Sequence, residues 1–175
     1  VRLQITNIVK EITTNYDIDG IIFDDYFYPY GGTANQDAKS QSQYFEAWSD
    51  AHPGKTVHDW RRDNVNRMIA DVYHTIQATK PYVAFGVSPF GIWTTNTNVA
   101  EEEGIPLPSG ISGGNMYQEI YCDPVAWLKE GTVDYLSPQL YWKIGGAQDY
   151  NKLCAWWTDL ANRFGKQFYS SMALY

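Results

Sequence analysis

A chain of 175 residues that is 44% hydrophobic is long and apolar enough to bury a core, which excludes general disorder. Thirteen basic against twenty acidic residues leave a net charge of -7, which argues against nucleic acid or an anionic membrane surface as partner. Two cysteines, Cys122 and Cys154, leave room for one disulfide but not for a disulfide framework, and they are not at metal-ligand spacing.

In chain order, Leu3, Ile5, Ile8, Val9 and Ile12 recur at helical spacing, so a helix is expected from Val1 to about Tyr16. Asn15-Tyr16-Asp17 breaks it before a strand at about 18 to 24, where Ile21-Ile22-Phe23 has the continuous apolar character of a strand buried on both faces. Pro29, Gly31-Gly32, Asn35 and Asp37 mark a polar loop over 29 to 40, and Tyr44, Phe45 and Trp48 a short amphipathic segment over 41 to 51. A helix follows from about 58 to 79, with Val65, Met68, Ile69, Val72, Tyr73 and Ile76 as its stripe. Pro81 ends it, and Tyr82 to Ser88 supplies a second buried strand. Residues 94 to 121, rich in Gly, Asn, Ser and Pro, read as a long insertion over a cleft, a length of loop that is usually functional or disordered. Asp123 and Pro124 open a helix as N-cap and first residue, running to Glu130 before Gly131. A strand over Val133 to Tyr141, a helix around 148 to 164 and a strand from Gln167 to Leu174 complete the order.

Strands alternating with helices, the strands apolar throughout, predict an α/β fold with a parallel sheet. Four strands are half of an eight-stranded barrel, so the 175 residues are expected to form a single partial barrel domain whose remaining strands lie outside the numbering. Its two open sheet edges call for further barrel strands or a self-association partner. No signal peptide or long apolar span is visible; a leader is expected upstream of Val1.

In a parallel sheet the ligand cleft lies beyond the carboxyl ends of the strands, where polar and aromatic groups collect here: Asp24, Asp25 and Tyr26; Ser88 and Trp93; Gln139, Tyr141 and Trp142. Seven Trp, fourteen Tyr and seven Phe exceed the needs of the core, and some are expected to form stacking faces for carbohydrate; extra core packing is the plainer alternative. Side chains alternate along a strand, so only one of Asp24 and Asp25 enters the mouth. Asp24 shares parity with the small Gly20 and is favoured, leaving Asp25 to orient a neighbour such as an arginine or to cap the loop; an acidic turn without chemistry is the alternative. Trp60-Arg61-Arg62-Asp63-Asn64 opens the long helix, either as a solvated face with local ion pairs or as a source of a guanidinium that holds Asp24 ionised. A glycosidase needs a second carboxyl group, and Glu119, among Tyr117, Ile120 and Tyr121, is a candidate acid whose pKa the aromatics would raise; an ordinary loop acid is the alternative. His52, His58 and His74 are scattered and no nucleotide or serine-hydrolase motif is present, so no metal or other cofactor is expected.

DGIIFDDYFYPY at 19 to 30, WRRDNVN at 60 to 66, GVSPFGIW at 86 to 93, DYLSPQLYW at 134 to 142 and the terminal SMALY resemble the bacterial glycoside hydrolase-like family ten, envelope proteins with a TIM (β/α)8 barrel. The resemblance covers nearly the whole chain and implies that it holds the family's fourth to seventh strands. It implies hydrolysis of a polysaccharide or oligosaccharide, some relatives acting on peptidoglycan strands stripped of stem peptides, in a periplasmic, lipid-anchored or secreted bacterial protein. By motif it carries over Asp24 and Asp25 as catalytic, with Arg62, Asn64, Ser88, Trp93, Gln139 and Tyr141 around the cleft. Thr94-Thr95 stands where family members have a basic residue, so contacts there are expected to differ. The expected activity is glycan hydrolysis by strand-end carboxylates, lost if the chain begins at Val1; the alternatives are a noncatalytic carbohydrate-binding barrel and a structural half barrel that assembles with another chain.

Overall fold

A computed structural model describes residues 1–32 and 36–174. Asn35 of the expected polar loop and the last tyrosine of SMALY lie outside them. The elements run α1 (Arg2–Asn15), β1 (Gly20–Phe23), α2 (Ala38–Ala51), α3 (Val57–Thr79), β2 (Ala84–Val87), α4 (Thr97–Glu103), α5 (Met116–Glu119), α6 (Pro124–Glu130), β3 (Tyr135–Leu136), α7 (Tyr150–Arg163) and β4 (Gln167–Phe168). The strands form one parallel sheet in sequential order, β1 and β4 at its edges, as in part of a (β/α) barrel. The last two strands are shorter than their apolar runs suggest, but bridges Phe90 to Gln139 and Gln139 to Ser171 carry the parallel alignment on to the carboxyl end.

Alternation divides the sheet into two unlike faces. Phe23 meets Phe85 edge to face at 5.2 Å, and Phe85, Val87 and Leu136 are buried beneath the helices. On the opposite face Ile22 is 51% exposed, and Tyr135 lies across Gly86, where a Cβ would come within 2.3 Å of the ring. The sheet is therefore covered on one side, and Asp24, in step with Gly20 and Ile22, belongs to the open side.

The covering helices have clear local causes. Thr56 and Asp59 form a capping box at the start of α3, whose Val65, Ile69, Val72 and Ile76 are buried. Asp123 caps α6, with Pro124 in its first turn and Gly131 in the left-handed conformation (φ 73) at its end. α1 is helical as its periodicity requires, but only Val9 and Thr13 are buried, while Leu3 and Ile8 stay exposed. The segment 94–121 contains α4 and α5 and supplies Ala100, Ile105, Met116 and Ile120 to the core. Lys152 Nζ, Trp156 Nε1 and Arg163 Nη1 donate to its carbonyls at Ser109, Pro106 and Gly104, pinning it to α7. Both cysteines are free thiols, which corrects the allowance for a disulfide.

Candidate active site

The carboxyl ends of the four strands bring Asp24, Ser88, Ser137, Gln139 and Ser171 together. Gln139 is the bridge: its Nε2 donates to Asp24 Oδ1 at 2.9 Å and to the Ser88 carbonyl at 3.0 Å, reaching from the third strand across the second to the first. Asp24 Oδ1 also accepts from the Asp25 amide at 2.8 Å, so an exposed carboxylate is oriented by two donors. Behind it, Ser137 Oγ and Ser171 Oγ lie 2.8 Å apart and Ser88 Oγ donates to the Ser137 carbonyl at 2.9 Å.

Asp25 points the other way and is 2% exposed. The Tyr30 hydroxyl donates to its Oδ2. Burial pushes the Asp25 pKa up, the Tyr30 bond opposes this, and the Asp24 carboxylate adds to the rise. Burial and Asp25 together push the Tyr30 phenol above its usual range. Tyr30 also joins an aromatic line along the mouth, edge to face with Tyr26 at 5.9 Å, tilted on Phe90 at 6.2 Å, Phe90 in turn meeting Trp142 at 5.3 Å. Tyr26 and Tyr141 are exposed, whereas Trp142 is half-buried by its packing on Phe90.

Several expected site residues take other positions. Trp93 is 1% exposed, its indole N–H donating to Asp123 Oδ1 at 3.0 Å and its ring stacked on Trp156, so it is core and offers no face to a sugar. Arg62 turns to Asp59 (2.8 Å) and the Tyr117 carbonyl (3.1 Å), its guanidinium over the Tyr117 ring. Arg61 pairs with Asp37 through two 2.8 Å bonds and donates to the Tyr121 hydroxyl at 3.0 Å. Their partners are thus elsewhere than the strand-end carboxylates, and this corrects the expectation of a guanidinium on Asp24. Asn64, half-buried on α3, lines a groove with Tyr28 and Trp48. Glu119 is exposed and accepts from the Asn115 amide at 3.1 Å, capping α5 rather than sitting in a desolvating aromatic pocket.

Sequence reasoning passed over Tyr30, Phe90, Ser137 and Ser171, although each belongs to a strand-end motif. Asp123 caps α6 as expected, and its carboxyl is also buried: desolvation, against the Trp93 and Ala126 hydrogen bonds, raises its pKa to about 6. Among the described residues no three His, Cys, Asp or Glu side chains group as a metal site.

The model of the glycosyl hydrolase-like 10 family matches residues 1–175. The chain belongs to this family. It is 40% identical over 169 residues to glycosyl hydrolase YngK of Bacillus subtilis, covering 95% of this chain and 31% of that relative. It is 37% identical over 173 residues to glycosyl hydrolase DigH of Escherichia coli K12, covering 98% of this chain and 37% of that relative. This family member thus spans about a third of the length of the curated relatives it matches.

Proposed function

We propose that the protein hydrolyses a glycan chain, with Asp24 as the reacting carboxylate and peptidoglycan glycan strands as the substrate class. The observation that carries the reading is Asp24 itself: an exposed carboxylate at a strand end, fixed by Gln139 and the Asp25 amide, beside a line of aromatic rings. Such a carboxylate serves as nucleophile or general base at an anomeric carbon, and Tyr26, Tyr141 and Trp142 are the faces on which pyranose rings stack. We place the work in the bacterial envelope, where such strands are found. Family membership and two relatives named glycosyl hydrolases support hydrolysis in general; the glycan and the role of Asp24 are the proposal.

The test is mass spectrometry of products after incubating the full-length protein and its Asp24→Asn variant with stem-peptide-free peptidoglycan strands and a panel of other polysaccharides. Oligosaccharides released by wild type, and reduced about 10²–10⁴-fold in the variant, are expected. Equal release by both removes Asp24 from the chemistry, and bound but uncut glycan identifies a carbohydrate-binding barrel.

A further inference from the structure

We propose that Gln139 has two tasks at this site, set by the two ends of its amide. Its nitrogen is a positioning group that fixes one oxygen of Asp24 and so leaves Oδ2 as the oxygen offered to the substrate. Its carbonyl oxygen accepts a hydrogen bond from a hydroxyl or N–H group of the sugar seated there. The inference rests on the reading of Asp24 as the reacting carboxylate and assigns the atoms of that reading.

The assignment follows from counting donors and acceptors. A side-chain amide nitrogen carries two hydrogens, and both are committed here, to Asp24 Oδ1 at 2.9 Å and to the Ser88 carbonyl at 3.0 Å. Both partners are acceptors, a carboxylate oxygen and a main-chain carbonyl, so the nitrogen of the amide and not its oxygen must face them. Asp24 Oδ1 in turn accepts from Gln139 and from the Asp25 amide at 2.8 Å, which fills its two lone pairs. No described residue donates to Oδ2, and Asp24 is exposed, so Oδ2 is free to meet a ligand with its direction set by its twin.

Gln139 Oε1 likewise takes no bond from a described residue. Gln139 is half-buried, and among the described residues Ser170 Oγ is the one buried side-chain N or O atom without a partner, so Oε1 is in reach of solvent. Bonded to the same carbon as Nε2, it stands beside Asp24. The mouth therefore presents a charged and a neutral acceptor side by side, a pairing that suits the hydroxyl and N–H groups of a pyranose. The main chain gives the amide a rigid base: Gln139 N–H donates to the Pro89 carbonyl at 2.9 Å, and bridges to Phe90 and Ser171 hold the residue between neighbouring strand ends. A side chain on a strand held from both sides keeps a reacting group in place more closely than one on a loop.

The experiment compares kcat and KM of full-length wild type, Gln139→Met, Gln139→Glu and Asp24→Asn on stem-peptide-free glycan strands, across pH. Methionine keeps the length of the side chain and removes both donor and acceptor. Gln139→Met is expected to lose about 10²-fold in kcat, the scale of a misplaced reacting group, and to raise KM about threefold to tenfold, the scale of one lost hydrogen bond. In Gln139→Glu the new carboxyl can donate to Asp24 only while it is protonated. That variant is expected to keep activity at the acid end of the profile and lose it as pH rises, its alkaline limb lying at lower pH than that of wild type. A side chain that merely supports the fold would not move that limb. A kcat of Gln139→Met within threefold of wild type overturns the positioning role, and an unchanged KM overturns the acceptor role. If Gln139→Met fails to fold, the Gln139→Glu profile decides: an alkaline limb where wild type has it overturns the proposal. Inactive Asp24→Asn beside fully active Gln139→Met rejects the proposal and leaves the role of Asp24 standing, whereas Asp24→Asn as active as wild type, or a wild type that cuts no glycan, rejects both.

Discussion

Asp24 and Asp25 are adjacent in the chain yet occupy opposite environments, one exposed and tethered to Gln139, the other buried under Tyr30. That division follows from strand alternation, which is why it was legible from the positions of Gly20 and Ile22. The fate of Trp93 was not legible, because a tryptophan near a strand end serves a core or a cleft equally well until its neighbours are known. Nor were the partners of Arg61 and Arg62, since Tyr121 and Tyr117 stand 60 and 55 residues away in sequence. Asp123 carries a prediction at this scale. Its pKa of about 6 in the folded state lies above the ordinary aspartate value of 3.8, so the folded state holds a proton that the unfolded chain releases between those values. This group therefore favours folding progressively less as pH rises from about 4 to 6, a change on the order of 3 kcal/mol. Asp123→Asn keeps the acceptor for Trp93 and Ala126 and is expected to remove that decline, read by urea unfolding at pH 4, 5, 6 and 7. An unchanged slope relative to wild type contradicts the burial argument.

Among the elements, helices were the more readable because their ends are written locally. The capping box at Thr56 and Asp59 and the Asp-Pro start of α6 need only neighbouring residues to be seen. The periodicity of α1 gave its existence but not its buried side, since which stripe is covered depends on where α3 lies. The strand segments β3 and β4 are defined by cross-strand pairing that an apolar run cannot convey. The turn after β2 shows what its GVSPFGIW motif does. A Cβ on Gly91 would stand 2.5 Å from the Trp142 ring, 2.6 Å from the Gln139 carbonyl and 2.9 Å from Leu140 Cδ2. The carbonyl belongs to the residue whose side chain orients Asp24. Gly91→Ala is therefore expected to cost about 1–3 kcal/mol and to lower glycan cleavage, measured by thermal unfolding and product release. Wild-type stability in that variant contradicts the close approach. At α3, Thr56→Ala is expected to cost about 1 kcal/mol. Burial raises the Asp59 pKa, but bonds from Thr56 and Arg62 outweigh it and set it to about 2; its contribution, present above about 4, fades as pH falls toward 2. The Thr56→Ala deficit is accordingly expected to be smaller at pH 2.5 than at pH 7 in denaturant unfolding.

For the molecule as a whole, the sheet order leaves β1 and β4 as edges and one face of the sheet uncovered, with Ile22, Tyr169 and Met172 exposed. Unpaired strand edges beside exposed apolar side chains favour association. Residues 1–175 produced alone are expected to self-associate, a result that light scattering would show; a clean monomer at high concentration contradicts it. The same open face explains why the fold class could be read from strand and helix alternation whereas the site could be read only in part: its groups come from four strands, and their convergence is a property of the sheet. The central claim, that a glycan is cut at Asp24, is tested most directly by a crystal structure of the full-length Asp24→Asn protein holding an uncut glycan oligomer. A glycosidic bond seated over residue 24 and Gln139, with sugar rings against Tyr26 and Trp142, is the expected result. A glycan held on the helix side of the sheet, or with its glycosidic bonds away from residue 24, would contradict it.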